Sequence, residues 1–251
     1  MTDHSAMKLG RLKPAPGRKL LKLTDYLPAM VAPPRTTWRA QAAIGAWGVM
    51  LNDDLGDCTA AAPGHIVRLL SALAGAPFAP TDDDVLAFYK SISGYTGDPS
   101  TDNGALISDA LAYWRTVGMA GRKIDGSASI NPQDIGTIRL AISLFGAVDI
   151  GLDLPLSAQT QTVWTPDSSA QGVRGSWGGH CVPLIDYDHD GTFVCITWGE
   201  EKRLTAEFLL AYADEVEAPI DPEFIGLSGL TRSGLDLARM RADAAQLAQA
   251  A

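Results

Sequence analysis

The sequence predicts an α+β protein whose helices come first along the chain and whose antiparallel strands follow. Apolar residues recur at helical spacing up to about residue 145, and from Val148 onward they alternate with polar or small residues. The chain is also long enough for a large buried core, since 46% of its 251 residues are hydrophobic. We therefore expect a helical lobe followed by an antiparallel sheet or barrel lobe.

The N-terminal stretch 1–35 differs in composition from the rest of the chain. It carries five prolines and little periodicity, which is typical of an extended segment. Its first 22 residues also hold six cations, with Asp3 as the one nearby acid. We expect this arm to lie on the acidic body of the protein. A basic localisation or nucleic-acid-binding tail is the alternative.

After the arm we expect a main domain over residues 36–220, with a helical lobe at about 36–145 and a β lobe at about 146–220. Residues 221–251 are predicted to form a C-terminal extension with a helix. Periodicity and capping residues predict the helices of the first lobe: a short one near Trp38, one from Cys58 to about Ala74, one capped by Thr81, one from about Ala105 to Val117, and one with Asn131 and Pro132 as its cap and first position.

The second lobe is predicted to begin with a half-buried strand, because Val148, Ile150 and the leucines after them alternate with Asp149, Gly151 and Asp153. Residues 180–187 and 192–198 are two further apolar runs joined through an Asp-Gly turn, which indicates an antiparallel hairpin. A short helix from Thr205, a strand near residues 216–220 and a final helix capped by Ser233 complete the pattern.

Bulk charge and cysteine usage limit the functional classes. The net charge of -9 and the pI of about 4.8 argue against general binding to nucleic acid or to anionic membranes, so a charged partner is expected to be basic. The chain lacks an apolar run long enough for a membrane span and an apolar signal-peptide core, which predicts a cytoplasmic protein. Three cysteines are too few for a disulfide framework, and because their number is odd, at least one free thiol is expected.

Several short motifs are informative because of their order along the chain. The segment 55–60, Leu-Gly-Asp-Cys-Thr-Ala, follows Asn52 and resembles the nucleophile turn of the papain-like cysteine peptidases, in which a Gly-x-Cys opens the central helix. Gly179-His180 leads an apolar strand and Trp198-Gly199 follows, which resembles the histidine strand and the Asn-Ser-Trp-Gly strand of that family. Asn103-Gly104 resembles the glycine rim of its substrate cleft.

This resemblance implies a papain-like fold and a cysteine hydrolase, a peptidase or amidase acting on peptide or protein substrates without cofactor or metal. Cys58 would be the nucleophile, His180 the acid and base, and Asn52 an oxyanion donor, while Trp198, Gly104 and Gly179 would line the substrate site. The chemistry requires these residue types, because a helix N-terminus and a nearby imidazolium lower the pKa of a thiol toward neutrality.

Two departures from the family leave a rival hypothesis open. Ile196 stands where the family has the Asn that orients the histidine, and Thr197 is expected to point to the opposite face of its strand. The charge of Asp57, beside Cys58, also opposes thiolate formation. The rival is a papain-like pseudoenzyme that serves as a binding or structural component. The 57 residues before Cys58 are too few for the long inhibitory prodomain of papain-like zymogens, so such control is not expected.

Other interpretations of the same residues are weaker. A single cysteine is more often a small buried apolar residue than a nucleophile. For Cys58, the spacing of His180 and Trp198 is the observation that favours a nucleophile. The acidic run 186–190 imitates a calcium loop, but Thr197 stands where that loop needs Glu, which favours a hairpin turn. Zinc is disfavoured because no close Cys-x-x-Cys pair is present.

Overall fold

The computed structural model describes residues 3–227 and 235–249. Within them the helices are α1 (Trp38–Ala42), α2 (Cys58–Leu73), α3 (Asp82–Ser93), α4 (Ile107–Thr116), α5 (Ile135–Phe145), α6 (Ala206–Tyr212), α7 (Pro222–Leu227) and α8 (Leu237–Gln249). The strands are β1 (Gly126–Ser129), β2 (Val148–Leu154), β3 (Val163–Trp164), β4 (Gly178–Tyr187), β5 (Phe193–Thr197), β6 (Glu200–Leu204) and β7 (Ala213–Ile220).

The strands form one seven-stranded sheet in the order β1-β7-β2-β4-β5-β6-β3. All neighbours are antiparallel except the short β3, which pairs in parallel with β6. The predicted hairpin is confirmed as β4 and β5. The prediction of a half-buried β2 is wrong: all seven of its residues are buried, because β2 lies between β7 and β4 and because Arg11 of the arm lies against Gly151 and Asp153.

Two apolar cores lie on opposite faces of this sheet. We call the first the helix core; in it α2, α3 and α4 pack against Cys181, Ile185 and Ile196 of the sheet. We call the second the sheet core, which contains α5, α6 and the side chains of Val182 and Cys195. The lobe boundary near residue 145 stays a prediction; β1 and α5 lie before it in the chain but pack with the sheet.

Helix α2 lies at the centre of the helix core. Nearly all of its side chains are buried, and Pro63 lies inside the helix without ending it. Gly64 is required for packing, because a Cβ there would lie 2.7 Å from the sulfur of Met50. His65 bonds to the carbonyl of Gly48 at 3.0 Å, and burial lowers its pKa to about 4, which supports the structural role expected for it.

Local capping signals were informative for some helices and misleading for one. Thr81 caps α3, as predicted, and the structure adds a reciprocal bond from Asp84 that completes a capping box. Helix α5, in contrast, is capped by Asp134 and not by Asn131, whose side chain instead accepts from the backbone of Gln133 to form a turn. Ser233, the predicted cap of the last helix, lies outside the described residues. Among the described helices, none is long and apolar enough to cross a membrane.

Candidate active site

Cys58 is the first residue of α2 and is completely buried. The turn before it is held by Asn52, whose Nδ2 donates to the Oδ1 of Asp57 at 3.0 Å and to the carbonyl of Leu55 at 3.3 Å. Both N–H groups of this amide are therefore used in the turn. Asp57 is the N-cap residue, but its side chain makes no capping bond, and burial raises its pKa well above the usual carboxyl range. The charge of Asp57 is in turn one of the causes that raise the pKa of the Cys58 thiol.

A polar clamp joins the nucleophile turn to the glycine rim. Both carboxylate oxygens of Asp102 accept from the backbone N–H of Gly56, at 3.0 and 3.1 Å. The hydroxyl of Tyr89 donates to Asp102 at 2.5 Å and accepts from the N–H of Gly104 at 3.1 Å. Gly104 has a φ of +73°, which favours glycine at this position. The clamp fixes the distance between the rim and the turn that carries Cys58.

His180 is fully buried near the start of β4, and its Nε2 lies 2.8 Å from the Oγ1 of Thr197. Thr197 points to the opposite face of β5 from Ile196, as expected, but it is Thr197 and not residue 196 that lies beside His180. Successive strand residues do alternate, but Ile196 is the one that points away, into the helix core. The spacing of the family motif predicts Ile196 beside the histidine, whereas the structure has Thr197 there. Thr197 thus lies beside the histidine, in the place that the resemblance assigned to residue 196.

Trp198 covers the histidine. Its ring stacks on the His180 ring with centroids 4.7 Å apart and on the ring of His4 with centroids 4.8 Å apart. Trp198 and Gly199 form the two-residue turn between β5 and β6, and Trp198 has a φ of +48°, which is unusual for a bulky residue. The turn aims the indole at His180, and the stacking helps to hold the strained backbone.

Part of the N-terminal arm lies in the cleft beside Cys58. We call residues 9–12 the cleft segment. On one side, the N–H of Ala105 donates to the carbonyl of Gly10 at 2.9 Å, and the N–H of Leu12 donates to the carbonyl of Ala105 at 2.9 Å. On the other side, the N–H of Arg11 donates to the carbonyl of Gly179 at 3.1 Å. The segment is thus bonded through its backbone to both walls of the cleft.

The fit of the cleft segment depends on glycines. A Cβ at Gly10 would lie 1.7 Å from the carbonyl oxygen of Gly56, the residue two before the thiol. A Cβ at Gly104 would lie 1.9 Å from the Gly10 carbonyl oxygen, and one at Gly179 would lie 2.1 Å from that of Arg11. Gly104 and Gly179, the predicted substrate-binding glycines, therefore touch the arm in this state.

Burial sets the protonation of both candidate catalytic groups. It raises the pKa of Cys58 to about 12, although the backbone N–H groups of Cys181 and Gly10 act in the opposite direction. Burial and the charge of Arg11 lower the pKa of His180 to about 3. Within the described residues, Nδ1 of His180 has no hydrogen-bond partner, so a Cys58–His180 bond is not formed. The site holds a neutral thiol and a neutral imidazole.

The other two cysteines do not contribute a disulfide. All three are free and buried, and Cys195 pairs across the hairpin with Leu184 and not with Cys181. The thiol of Cys181 donates to the Oδ1 of Asp149 at 3.0 Å. In the described part of the chain, no group of three or more His, Cys, Asp or Glu side chains is placed to hold a metal ion.

Sequence reasoning missed two features of this site, Thr197 and the cleft segment. The cations of the arm and the acidic body did indicate that the two would meet. The glycine before Arg11 was the signal that could have placed the arm more closely, because a narrow passage between backbones admits glycine alone.

Comparisons with known proteins address the fold. No protein-family model matches the sequence, and no curated protein matches it. Among solved structures, xylellain, a cysteine protease from Xylella fastidiosa, matches with a TM-score of 0.66 and 14% identity over 88% of this chain and 98% of that chain. Procathepsin L 3 from the Tenebrio molitor larval midgut matches with a TM-score of 0.54 and 13% identity over 86% of this chain and 77% of that chain.

A third match has a different domain composition. The cysteine protease and lectin-like domains of Cwp84 from Clostridium difficile give a TM-score of 0.58 and 10% identity, over 88% of this chain and 57% of that chain. The chain therefore has the papain-like cysteine protease fold, and the predicted fold class is confirmed.

Proposed function

We propose that this protein is a papain-like cysteine peptidase whose cleft is occupied by its own arm in the resting state. The observation that carries the proposal is the cleft segment: a stretch of extended backbone, bonded to Ala105 and Gly179 on either side and lying beside Cys58. A cleft that binds one peptide backbone in this way has the geometry to bind another. Cys58 is the nucleophile, His180 the acid and base, and Asn52 an oxyanion donor.

The reaction is acyl transfer through a thioester. The proton of the Cys58 thiol passes to Nδ1 of His180, and the thiolate attacks the peptide carbonyl carbon. Collapse of the tetrahedral intermediate breaks the C–N bond, and His180 returns the proton to the leaving amine. His180 then takes a proton from water, whose oxygen attacks the thioester carbonyl carbon. The C–S bond breaks, and His180 returns the proton to the sulfur, which leaves the acid and the free thiol.

Three parts of the chain support these steps. Thr197 and Trp198 fix the imidazole, so that Nδ1 is the nitrogen left for the thiol. The backbone N–H of Cys58 at the start of α2 is one donor for the oxyanion, and helix α2 stabilises negative charge at this end. Asn52 becomes the second donor when its amide exchanges a bond within the turn for one to the oxyanion.

The resting state must open before chemistry occurs. Displacement of the cleft segment would admit water to Cys58 and His180, which removes part of the burial that keeps both groups neutral. The imidazole then becomes easier to protonate and the thiol easier to ionise. Although the arm is short, it takes the inhibitory role that the sequence analysis did not expect.

A catalytically impaired binding protein is the second candidate. It is favoured by the neutral, fully buried thiol and by the missing hydrogen bond between Cys58 and His180. Under that hypothesis the pair stays neutral even when the arm leaves, and the cleft serves only to hold a peptide.

Thiol reactivity separates the two candidates. Gly10→Ala introduces a Cβ that clashes with Gly56 and should displace the arm, whereas Gly45→Ala is a matched control, because a Cβ there meets no atom within 4 Å. At pH 6, iodoacetamide should modify Cys58 of Gly10→Ala at least tenfold faster than Cys58 of the wild type or of Gly45→Ala. Slow labelling in a Gly10→Ala protein whose arm amides exchange freely with deuterium would favour the binding protein.

A further inference from the structure

The arm also indicates what the cleft recognises. We propose that Asp153, Asp214 and Glu215 form an arginine-binding subsite of the cleft, filled by Arg11 in the resting chain. The inference rests on the proposed function in taking the cleft as a substrate cleft, and it names the substrate class: peptides that contain a Gly-Arg sequence.

The guanidinium of Arg11 is completely buried in this subsite. Its Nη1 lies 2.8 Å from Oδ1 of Asp214 and its Nη2 lies 2.9 Å from Oδ2 of the same carboxylate. Nη2 also donates to Oδ1 of Asp153 at 3.1 Å, and Glu215 lies 3.9 Å from Nη1. The guanidinium presents Nη2 to Asp153 and Asp214 as a hydrogen-bond donor and Nη1 to Asp214 as a close charge, and a lysine ammonium, which is a single point charge, does not reproduce this arrangement.

The sheet is shaped to admit this long side chain. Gly151 of β2 lies directly against it, since a Cβ there would lie 2.6 Å from Nη1 and 2.9 Å from Cδ of Arg11. Asp149, two residues earlier on β2, is fully buried and has one carboxylate oxygen without a hydrogen bond in the described chain. Any larger residue at position 151 would block the path to Asp214.

The charges around the subsite are balanced by the arm. Asp153 also pairs with Lys13 of the arm at 3.4 Å and with Arg174 at 3.1 Å, while Glu215 pairs with Arg18 of the arm at 2.5 Å. Among the described residues, Asp214 has Arg11 as its one salt-bridge partner. When the arm leaves, a strongly acidic subsite is exposed. This subsite then attracts the cationic side chain of another peptide.

The neighbour of the arginine is restricted as well. Gly10 passes between Gly56 and Gly104 so closely that a Cβ would clash with the Gly56 carbonyl. A peptide that follows the path of the arm therefore needs glycine before arginine. The arm supplies that dipeptide itself, so it competes with any peptide of the same kind.

A binding measurement tests the subsite without relying on catalysis. The protein is the full-length Gly10→Ala/Cys58→Ala double variant, and the probe is a fluorescein-labelled peptide with the sequence of residues 8–14. We expect this peptide to bind at least tenfold more tightly than the same peptide with lysine or norleucine in place of arginine. Asp214→Asn should reduce that preference to less than threefold, whereas Glu207→Gln, a change at an exposed site, should preserve it.

A second variant covers the case in which Gly10→Ala retains the arm. Arg11→Ala empties the subsite directly, and added N-acetyl-arginine amide should raise its thermal midpoint, while N-acetyl-norleucine amide should not. Equal binding of the arginine and norleucine probes in both assays, or binding of neither, would overturn the subsite. A preference for arginine with no peptide cleavage by Gly10→Ala would refute the proposed function but not the subsite.

Discussion

Nε2 of His180 lies 2.8 Å from the hydroxyl of Thr197, across two neighbouring strands of the sheet. This contact leaves Nδ1 as the imidazole nitrogen that has no hydrogen-bond partner among the described residues. Ile196, the residue before Thr197, points away from the imidazole into the helix core. In the proposed mechanism, the hydroxyl of Thr197 is therefore the group that orients the histidine.

Removal of this hydroxyl tests its role. In the Gly10→Ala background, Thr197→Val should reduce kcat by roughly tenfold, equivalent to about 1.4 kcal/mol, because His180 then samples unproductive orientations. Thr197→Ser keeps the hydroxyl and should retain most of the activity. The measurement is kcat and KM for both variants, since a loss confined to kcat indicates positioning. A Thr197→Val enzyme with full kcat would contradict the assignment.

Ile196 offers the opposite test. Its side chain is buried in the helix core, so Ile196→Asn places an amide among apolar groups, away from His180. We expect a loss of roughly 2–4 kcal/mol in the free energy of unfolding and no gain in activity, whereas Ile196→Val should cost about 1 kcal/mol. Urea denaturation measures both. Faster turnover by a folded Ile196→Asn protein would show that residue 196 reaches the histidine after all.

The buried carboxyl group of Glu217 should make the free energy of unfolding depend on pH. Burial raises its pKa to about 8, above the value of 4.5 expected in the unfolded chain, so the folded protein retains a proton that the unfolded chain has lost. Stability from this group is complete below pH 4.5 and is lost as the pH rises through about 8. Between these values one such group lowers the free energy of unfolding by up to about 1.4 kcal/mol per pH unit.

Glu217→Gln removes the titration and should flatten the decline between pH 5 and pH 8. The matched control is Glu207→Gln, an exposed change that should leave the slope as in the wild type. Chemical denaturation at several pH values measures the slopes. Identical slopes for Glu217→Gln and the wild type would mean that Glu217 ionises normally in the folded protein.

The features that could be predicted from the sequence are mostly local ones. The cap at Thr81 and the helix that begins at Cys58 depend on residues a few positions apart, and the sequence predicts both. The position of the arm could not be predicted in this way, because its contacts join residues that are far apart in the chain. Arg11 and Asp214 are separated by 203 residues, and no local pattern indicates that they pair. Full burial of β2 likewise follows from its two neighbouring strands and from the arm, which strand periodicity does not reveal.

Only part of the candidate site could be predicted from the sequence, for a similar reason. Cys58, His180 and Trp198 follow from motif order, and the stacking of Trp198 on His180 agrees with its predicted covering role. The choice between Ile196 and Thr197 depends on which face of β5 meets the histidine, which alternation alone leaves undecided. Only the three-dimensional pairing of strands resolves it.

Peptide hydrolysis by the opened protein tests the central claim most directly. The measurement is kcat/KM on a fluorogenic peptide panel that includes Gly-Arg sequences, for the wild type, Gly10→Ala, Gly45→Ala and Gly10→Ala/Cys58→Ala. We predict that Gly10→Ala exceeds the wild type and Gly45→Ala by at least tenfold and that Cys58→Ala abolishes the gain. A folded Gly10→Ala protein that binds these peptides but cleaves none, or whose cleavage survives Cys58→Ala, would contradict a cysteine peptidase at this site.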